Sequence, residues 1–159
     1  MENHPIPPVF DAGSKILILG SFPSVVSRDE AFFYAHPRNR FWRVLSTVLK
    51  TELPGTTEEK RKMLLDNGIA LWDVISSCDI IGSADSTIKN VRPTDLSVIL
   101  KIAEIKAIFV NGSTALKYYN KFQFIKTNRE AVLLPSTSPA NATYSIDDLV
   151  RAWAIIRSV

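Results

Sequence analysis

A chain of 159 residues, 46% of them hydrophobic, can bury a core without staples, and its single cysteine, Cys78, excludes a disulfide framework, an iron–sulfur cluster and a Cys-rich zinc site. The two histidines, His4 and His36, have no second histidine at a helical metal spacing, so neither a metal nor a cofactor is expected. A net charge of +3 permits a polyanionic partner without announcing one; with no leader-like start and no uncharged apolar run near the roughly 18 residues that cross a bilayer, the expectation is a soluble, cytoplasmic, single domain over residues 1–159 with no membrane partner.

In chain order, residues 15–19 (Lys-Ile-Leu-Ile-Leu) read as a short buried strand that empties into the turn Gly20-Ser21-Phe22-Pro23. From about residue 39 to 50, Phe41, Trp42, Leu45, Val48 and Leu49 recur at spacings of three and four, which predicts a helix with one buried face. Thr56 with Glu59 forms a capping box, Met63, Leu64 and Leu65 give that second helix an apolar side, and Asn67-Gly68 stops it. Residues 69–75 read as the second strand. Residues 76–93 read as the longest irregular stretch, a length uncommon unless functional. Thr94-Asp95 cap a helix over 96–103, residues 107–110 form the third strand, and Ser113 caps a helix through Tyr119. Residues 131–134 form the fourth strand, and Ser145 with Asp148 cap a last helix ending near Ser158.

Strands alternating with helices predict right-handed crossovers and a three-layer α/β/α sandwich with a central four-stranded parallel sheet. Ligands of such sheets bind beyond the strand carboxyl ends. Gly20-Ser21-Phe22-Pro23, Ile75-Ser76-Ser77, Asn111-Gly112-Ser113 and Pro135-Ser136-Thr137-Ser138 all fall there. Residues 20–42, crowded with aromatics, one His, one Asn and three Arg beyond the turn, are poor core material and good pocket material. Three of these residues read two ways. Asn39 is either the N-cap of its helix or a polar group of the site. His36, held extended by Pro37, is either a structural histidine or a site contact. Asp73 is a buried, hydrogen-bonded carboxylate or a solvated strand-end residue. Trp42 reads as core and Cys78 as a packed thiol.

The string Gly20-Ser-Phe-Pro-Ser24, followed by Tyr34-Ala-His-Pro-Arg-Asn-Arg-Phe-Trp42 and, near the end, Leu134-Pro-Ser-Thr-Ser-Pro139, resembles the uracil-DNA glycosylase superfamily and, within it, the hypoxanthine-DNA (deoxyinosine) glycosylase branch. The resemblance implies a monofunctional hydrolase of base excision repair acting as a monomer, its partner DNA that contains deaminated bases. In the mismatch-specific branch an Asn or Asp positions the attacking water from the place that Phe22 holds here. Several relatives also carry a leaving-base His where this chain has Leu134. The resemblance therefore passes the catalytic role to Asn39 and favours a deaminated purine over uracil.

On that reading the protein orients water through the Asn39 carbonyl oxygen and offers hydrogen-bond donors to a departing base held in a pocket. Tyr34 is the candidate stacking surface. Phe22 and Phe33 shape the pocket, with Gly20 and His36 beside it, and backbone N–H groups over Ser21 to Ser24 donate to the base, Pro23 having none. Asn111 reads the base's polar edge. The stiff loop Pro135-Ser136-Thr137-Ser138 binds the DNA, all four residues being candidate contacts and Ser136 and Ser138 the candidates for gripping phosphates, and Arg38 and Arg40 add charge to the same backbone. The string Ser83-Ala84-Asp85-Ser86-Thr87-Ile88 is either a loop with local side-chain caps or, as the resemblance implies, a DNA-facing or pocket-facing one. The alternative from another class is a non-catalytic module on the same scaffold that binds damaged or single-stranded DNA. A serine hydrolase lacks its Gly-x-Ser-x-Gly elbow.

Overall fold

The computed structural model describes residues 1–159. Its strands are β1 (Glu2–Asn3), β2 (Ile16–Gly20), β3 (Ile69–Asp73), β4 (Ile75–Asp79), β5 (Lys89–Pro93), β6 (Ala107–Asn111) and β7 (Ala131–Leu134). Its helices are α1 (Val25–Glu30), α2 (Phe41–Leu49), α3 (Thr57–Asp66), α4 (Ser97–Leu100), α5 (Ser113–Tyr118), α6 (Phe124–Thr127) and α7 (Ile146–Trp153). Four strands form the expected parallel sheet, in the order β3-β2-β6-β7.

Alternation along β2 sends side chains to opposite faces of this sheet, and both faces are dry. Ile16 and Ile18 join Phe41, Leu45 and Val48 of α2, Leu64 of α3 and Leu149 and Trp153 of α7 in one cluster. Leu17 and Leu19 join Ile99, Ala115 and Tyr118 in the other, with Ile75, Cys78 and Ile88. The three-layer sandwich therefore stands, the four strands between two packed layers. Both capping boxes form as expected, Thr56 with Glu59 and Ser145 with Asp148.

The structure departs from the sequence reading along residues 69–93. The run 69–75 is two strands: the chain breaks at Val74, whose N–H donates to the Gly20 carbonyl at 2.8 Å, and β4 leaves for a second sheet. That sheet is antiparallel, in the order β1-β4-β5, and its strands take up half of the stretch expected to be irregular. Register shifts along β4 and β5 break the alternation that would have announced the hairpin. Buried Gln123 holds the switch point, its amide donating to the Val74 and Thr94 carbonyls at 3.2 and 2.9 Å. It is delivered by a π-helical segment, Tyr119–Gln123, that continues α5.

Smaller differences have local causes. Gly112, at φ +97°, occupies the cap position expected of Ser113. Thr94 turns inward to donate to the Asp73 carbonyl at 2.7 Å, leaving Asp95 to cap. Helix α1, hidden among the polar residues after Ser24, starts on the Ser24 hydroxyl, which accepts from the Ser27 N–H. No helix is long and apolar enough to cross a membrane.

Candidate functional site

Gly20 ends β2, Asp73 ends β3 and Asn111 ends β6, so three loops open on one edge of the sheet. A Cβ added to Gly20 would lie 2.4 Å from Asp73 Oδ1 and 2.8 Å from the Tyr34 hydroxyl; only glycine leaves room for both. Beyond Gly20, the backbone N–H groups of Ser21, Phe22 and Ser24 donate to no atom of the protein, and Pro23 has none to donate. Phe22 and Phe33 are buried beneath this turn at 8% and 2% exposure.

Tyr34, in the left-handed region at φ +51°, stacks on Phe41 with ring centroids 4.1 Å apart, so one face of its ring is covered. Its hydroxyl is buried without a hydrogen bond of normal geometry. Burial holds that hydroxyl well above the usual tyrosine range, helped by the Asp73 charge and opposed by the Asn111 side chain, so it is a neutral O–H donor.

His4 is the residue that sequence reasoning missed. Its side chain is 4% exposed and its Nε2 lies 2.7 Å from Asp73 Oδ2, itself on a 5% exposed side chain. His4 Nδ1 accepts the Ile6 N–H at 3.1 Å, so Nε2 carries the hydrogen donated to Asp73. Phe22, Phe33 and Trp72 wall the imidazole with centroids 5.9, 6.1 and 6.4 Å away. A separation of 69 residues leaves no local pattern to read. The available signal was Ile6 and Val9, too apolar for a free tail and here buried in the core. Asp73 is thus the buried, hydrogen-bonded carboxylate of one reading, with Oδ1 left free of hydrogen bonds.

A second network joins the other candidates. Asn39 Oδ1 accepts both the Phe41 N–H and the Thr137 hydroxyl, each at 2.9 Å. Thr137 Oγ1 in turn accepts from Asn111 Nδ2 at 3.0 Å, and the Thr137 N–H donates to Asn111 Oδ1 at 3.1 Å. Asn39 therefore caps its helix from one position before the assigned cap, its side-chain oxygen accepting the first helical N–H, and that oxygen already has two donors. Its amide N–H groups make no hydrogen bond. Tyr34 and Asn39 both touch Phe41, Tyr34 through the stacked rings and Asn39 through the Phe41 backbone N–H.

Four expectations are corrected by this geometry. Thr137 is fully buried, so it is the node of the loop and not a phosphate contact. Asn111 has both ends of its amide on Thr137, which makes it a clamp before it is a reader of any base edge. Arg40 turns its guanidinium to the carbonyls of Tyr144, Ser138 (2.9 Å) and Asn141 (3.0 Å), tying down the last loop in place of nucleic acid. The carbonyl oxygen of Asn39 is not free to accept from water, since both of its donors belong to the protein. Other placements are more permissive. Arg38 is exposed, while His36 Nδ1 accepts the Arg38 N–H at 3.1 Å and shapes the turn. The hydroxyls of Ser136 and Ser138 accept from Ser138 N–H and Ala140 N–H, each keeping its own O–H. The Pro135 carbonyl accepts from Trp153.

The 80–88 turn closes the edge. The Ser83 hydroxyl accepts from Val25 N–H at 3.0 Å, Arg28 donates to the Gly82 carbonyl at 2.9 Å, and the Ser21 hydroxyl lies 3.4 Å from both Asp85 carboxylate oxygens. Asp85 is exposed, yet the desolvation of its carboxylate by the surrounding turn, with the Asp73 charge, pushes its carboxyl above the usual carboxylate range, against hydrogen bonds from Ser21 and Thr114. Two surface hollows, of about 480 and 310 Å3, sit at the opposite edge of the sheet, around Lys106 and around Lys15 and Gly68.

A parallel-sheet sandwich with aromatic, amide and carboxylate groups gathered at the strand carboxyl ends defines a binding or hydrolytic site. The family model of the uracil DNA glycosylase superfamily matches residues 7–157, and the chain belongs to that superfamily. It is 32% identical over 156 residues to a Methanosarcina barkeri protein named hypoxanthine DNA glycosylase, covering 97% of each chain. It is 35% identical over 147 residues to a protein of the same name from Methanosarcina acetivorans, covering 91% of this chain and 92% of the relative. The solution NMR structure of a proposed uracil DNA glycosylase from Methanosarcina acetivorans superposes with a TM-score of 0.79 at 30% identity, covering 96% of each chain.

Proposed function

We propose that this DNA glycosylase hydrolyses the N-glycosidic bond of deaminated bases, hypoxanthine foremost, after the nucleotide swings out of the helix. The observation that carries the reading is the pair beneath Gly20: Asp73 Oδ1, an acceptor with no hydrogen bond, beside the Tyr34 hydroxyl, a neutral donor without a partner. Deamination turns the amidine edge of adenine into a lactam, an N–H next to a C=O. Such an edge donates to the carboxylate and accepts from the phenol. Adenine would set a lone pair against the carboxylate, a mismatch of the kind that leaves buried polar groups unpaired. The names of the two Methanosarcina relatives support the same substrate.

Bond cleavage places positive charge on the sugar and negative charge on the base. The unpaired N–H groups of Ser21, Phe22 and Ser24 supply donors for the latter. Asn39 acts through its free amide N–H groups, holding the oxygen of a water molecule and leaving that oxygen a lone pair for attack. The exposed Arg38 and the O–H groups of Ser136 and Ser138 grip phosphates. The test is alkali-labile strand cleavage of duplexes bearing deoxyinosine, deoxyxanthosine or deoxyuridine. Cleavage at deoxyinosine is expected, with Asn39→Ala lowering turnover at least tenfold more than DNA affinity. Tight binding without product from any of the three would make the chain a recognition module instead.

A further inference from the structure

We infer that His4 is a positioning residue for base choice: the N-terminal strap, through one buried imidazole, fixes the Asp73 carboxylate as the acceptor of the pocket. The inference rests on the proposed reading of deaminated bases and adds to it a residue outside the glycosylase-like strings.

The strap is built into the fold. Residues Glu2 and Asn3 pair with Cys78 and Ser77, the His4 N–H donates to the Ser76 carbonyl at 2.8 Å, and Val9 exchanges backbone hydrogen bonds with Leu71 at 3.0 and 2.9 Å. The Trp72 indole donates to the Ile6 carbonyl at 3.2 Å. His4 is thus anchored on both sides before its side chain is considered. Its Nδ1 is occupied by the Ile6 N–H, which leaves the imidazole one orientation and one hydrogen, the one on Nε2 aimed at Asp73 Oδ2.

The consequence falls on Asp73. A carboxylate on a 5% exposed side chain needs a compensating donor, and among side chains His4 alone donates to it. Because Oδ2 is engaged, the free oxygen is always Oδ1, which lies against Gly20 as the Tyr34 hydroxyl does. Without the Nε2–H, the carboxyl is free to rotate, and neither oxygen is held where the lactam N–H needs an acceptor. His4 touches no reacting atom; its effect on the reaction passes through Asp73.

The experiment compares single-turnover release from duplexes carrying deoxyinosine or deoxynebularine, whose purine base has neither the N–H nor the C=O. His4→Phe keeps the ring volume and removes the donor. It is expected to lower the deoxyinosine-to-deoxynebularine rate ratio about tenfold, the loss of one charge-assisted hydrogen bond. His4→Gln, which restores an N–H donor, is expected to recover most of that ratio. A purely structural role would slow both substrates alike and leave the ratio unchanged, which would overturn the inference. If the wild-type chain released neither base, the glycosylase reading itself would fall, and ligand-observed NMR with free hypoxanthine and free purine would decide the remaining question. A wild-type preference for hypoxanthine that His4→Phe abolishes sustains the role of His4; no preference, or one indifferent to His4, refutes it.

Discussion

Replacing Gly20 by alanine tests whether the Asp73–Tyr34 pair is the heart of the pocket. The added methyl would stand 2.4 Å from Asp73 Oδ1 and 2.8 Å from the Tyr34 oxygen, where ordinary contact begins at 3.4 Å. The carboxylate must therefore retreat by about 1 Å, a misplacement that can lower a rate about a hundredfold. It cannot retreat freely, because His4 holds Oδ2 at 2.7 Å and Phe22, Phe33 and Trp72 enclose the imidazole. The overpacking also costs about 1–3 kcal/mol of stability, or about 2–4 °C of melting temperature for each kcal/mol in a chain of this size. Single-turnover cleavage of a deoxyinosine duplex gives the rate, and calorimetry or circular dichroism the melting point. The reasoning fails if Gly20→Ala melts several degrees lower yet excises hypoxanthine at the wild-type rate, for the pair would then have moved without consequence.

Thr137→Val keeps the buried shape while stripping Asn39 Oδ1 and Asn111 Nδ2 of a partner; a loss of about 1–3 kcal/mol is expected in urea unfolding, with excision falling more than DNA affinity. The two arginines of the motif should separate in a titration of DNA affinity against salt by fluorescence anisotropy. Arg38→Ala reduces the logarithmic salt slope by about 1, whereas Arg40→Ala, which loosens the last loop, weakens binding with little change of slope. Asp85→Asn is expected to stabilise the protein at neutral pH. The folded-state carboxyl sits above its usual range, so ionisation works against the fold, and the gain shrinks as pH falls through that raised value and vanishes below the unfolded value of about 3.9. Unfolding followed at pH 7 and pH 3 measures both ends.

The parts of the fold that could be read in advance are those set by local chemistry. The Ile-Leu-Ile-Leu run of β2, the three-and-four spacing of α2 and the Thr56 and Ser145 caps each carry their structure within a few residues, and each appears where expected. Residues 76–93 were illegible because the β4–β5 pairing slips register twice and β5 is mostly exposed, so no alternation of apolar and polar residues survives. The site divides in the same way. The aromatic and amide string at 34–42 is contiguous and could be found. The duties of Asn111, Thr137 and Arg40 depend on partners 26 to 104 residues away and could not. The His4–Asp73 contact belongs with these, since nothing near His4 in sequence hints at a carboxylate.

Sharing one hydroxyl between the last loop and Asn39 has a mechanical result. The loop proposed to grip DNA and the amide proposed to direct the nucleophile would then be a single lever with its pivot at buried Thr137. Disturbing the grip at Ser136 or Ser138 then shifts the aim of the amide, and variants of the outer loop are expected to present themselves as slow catalysts before they present themselves as poor binders.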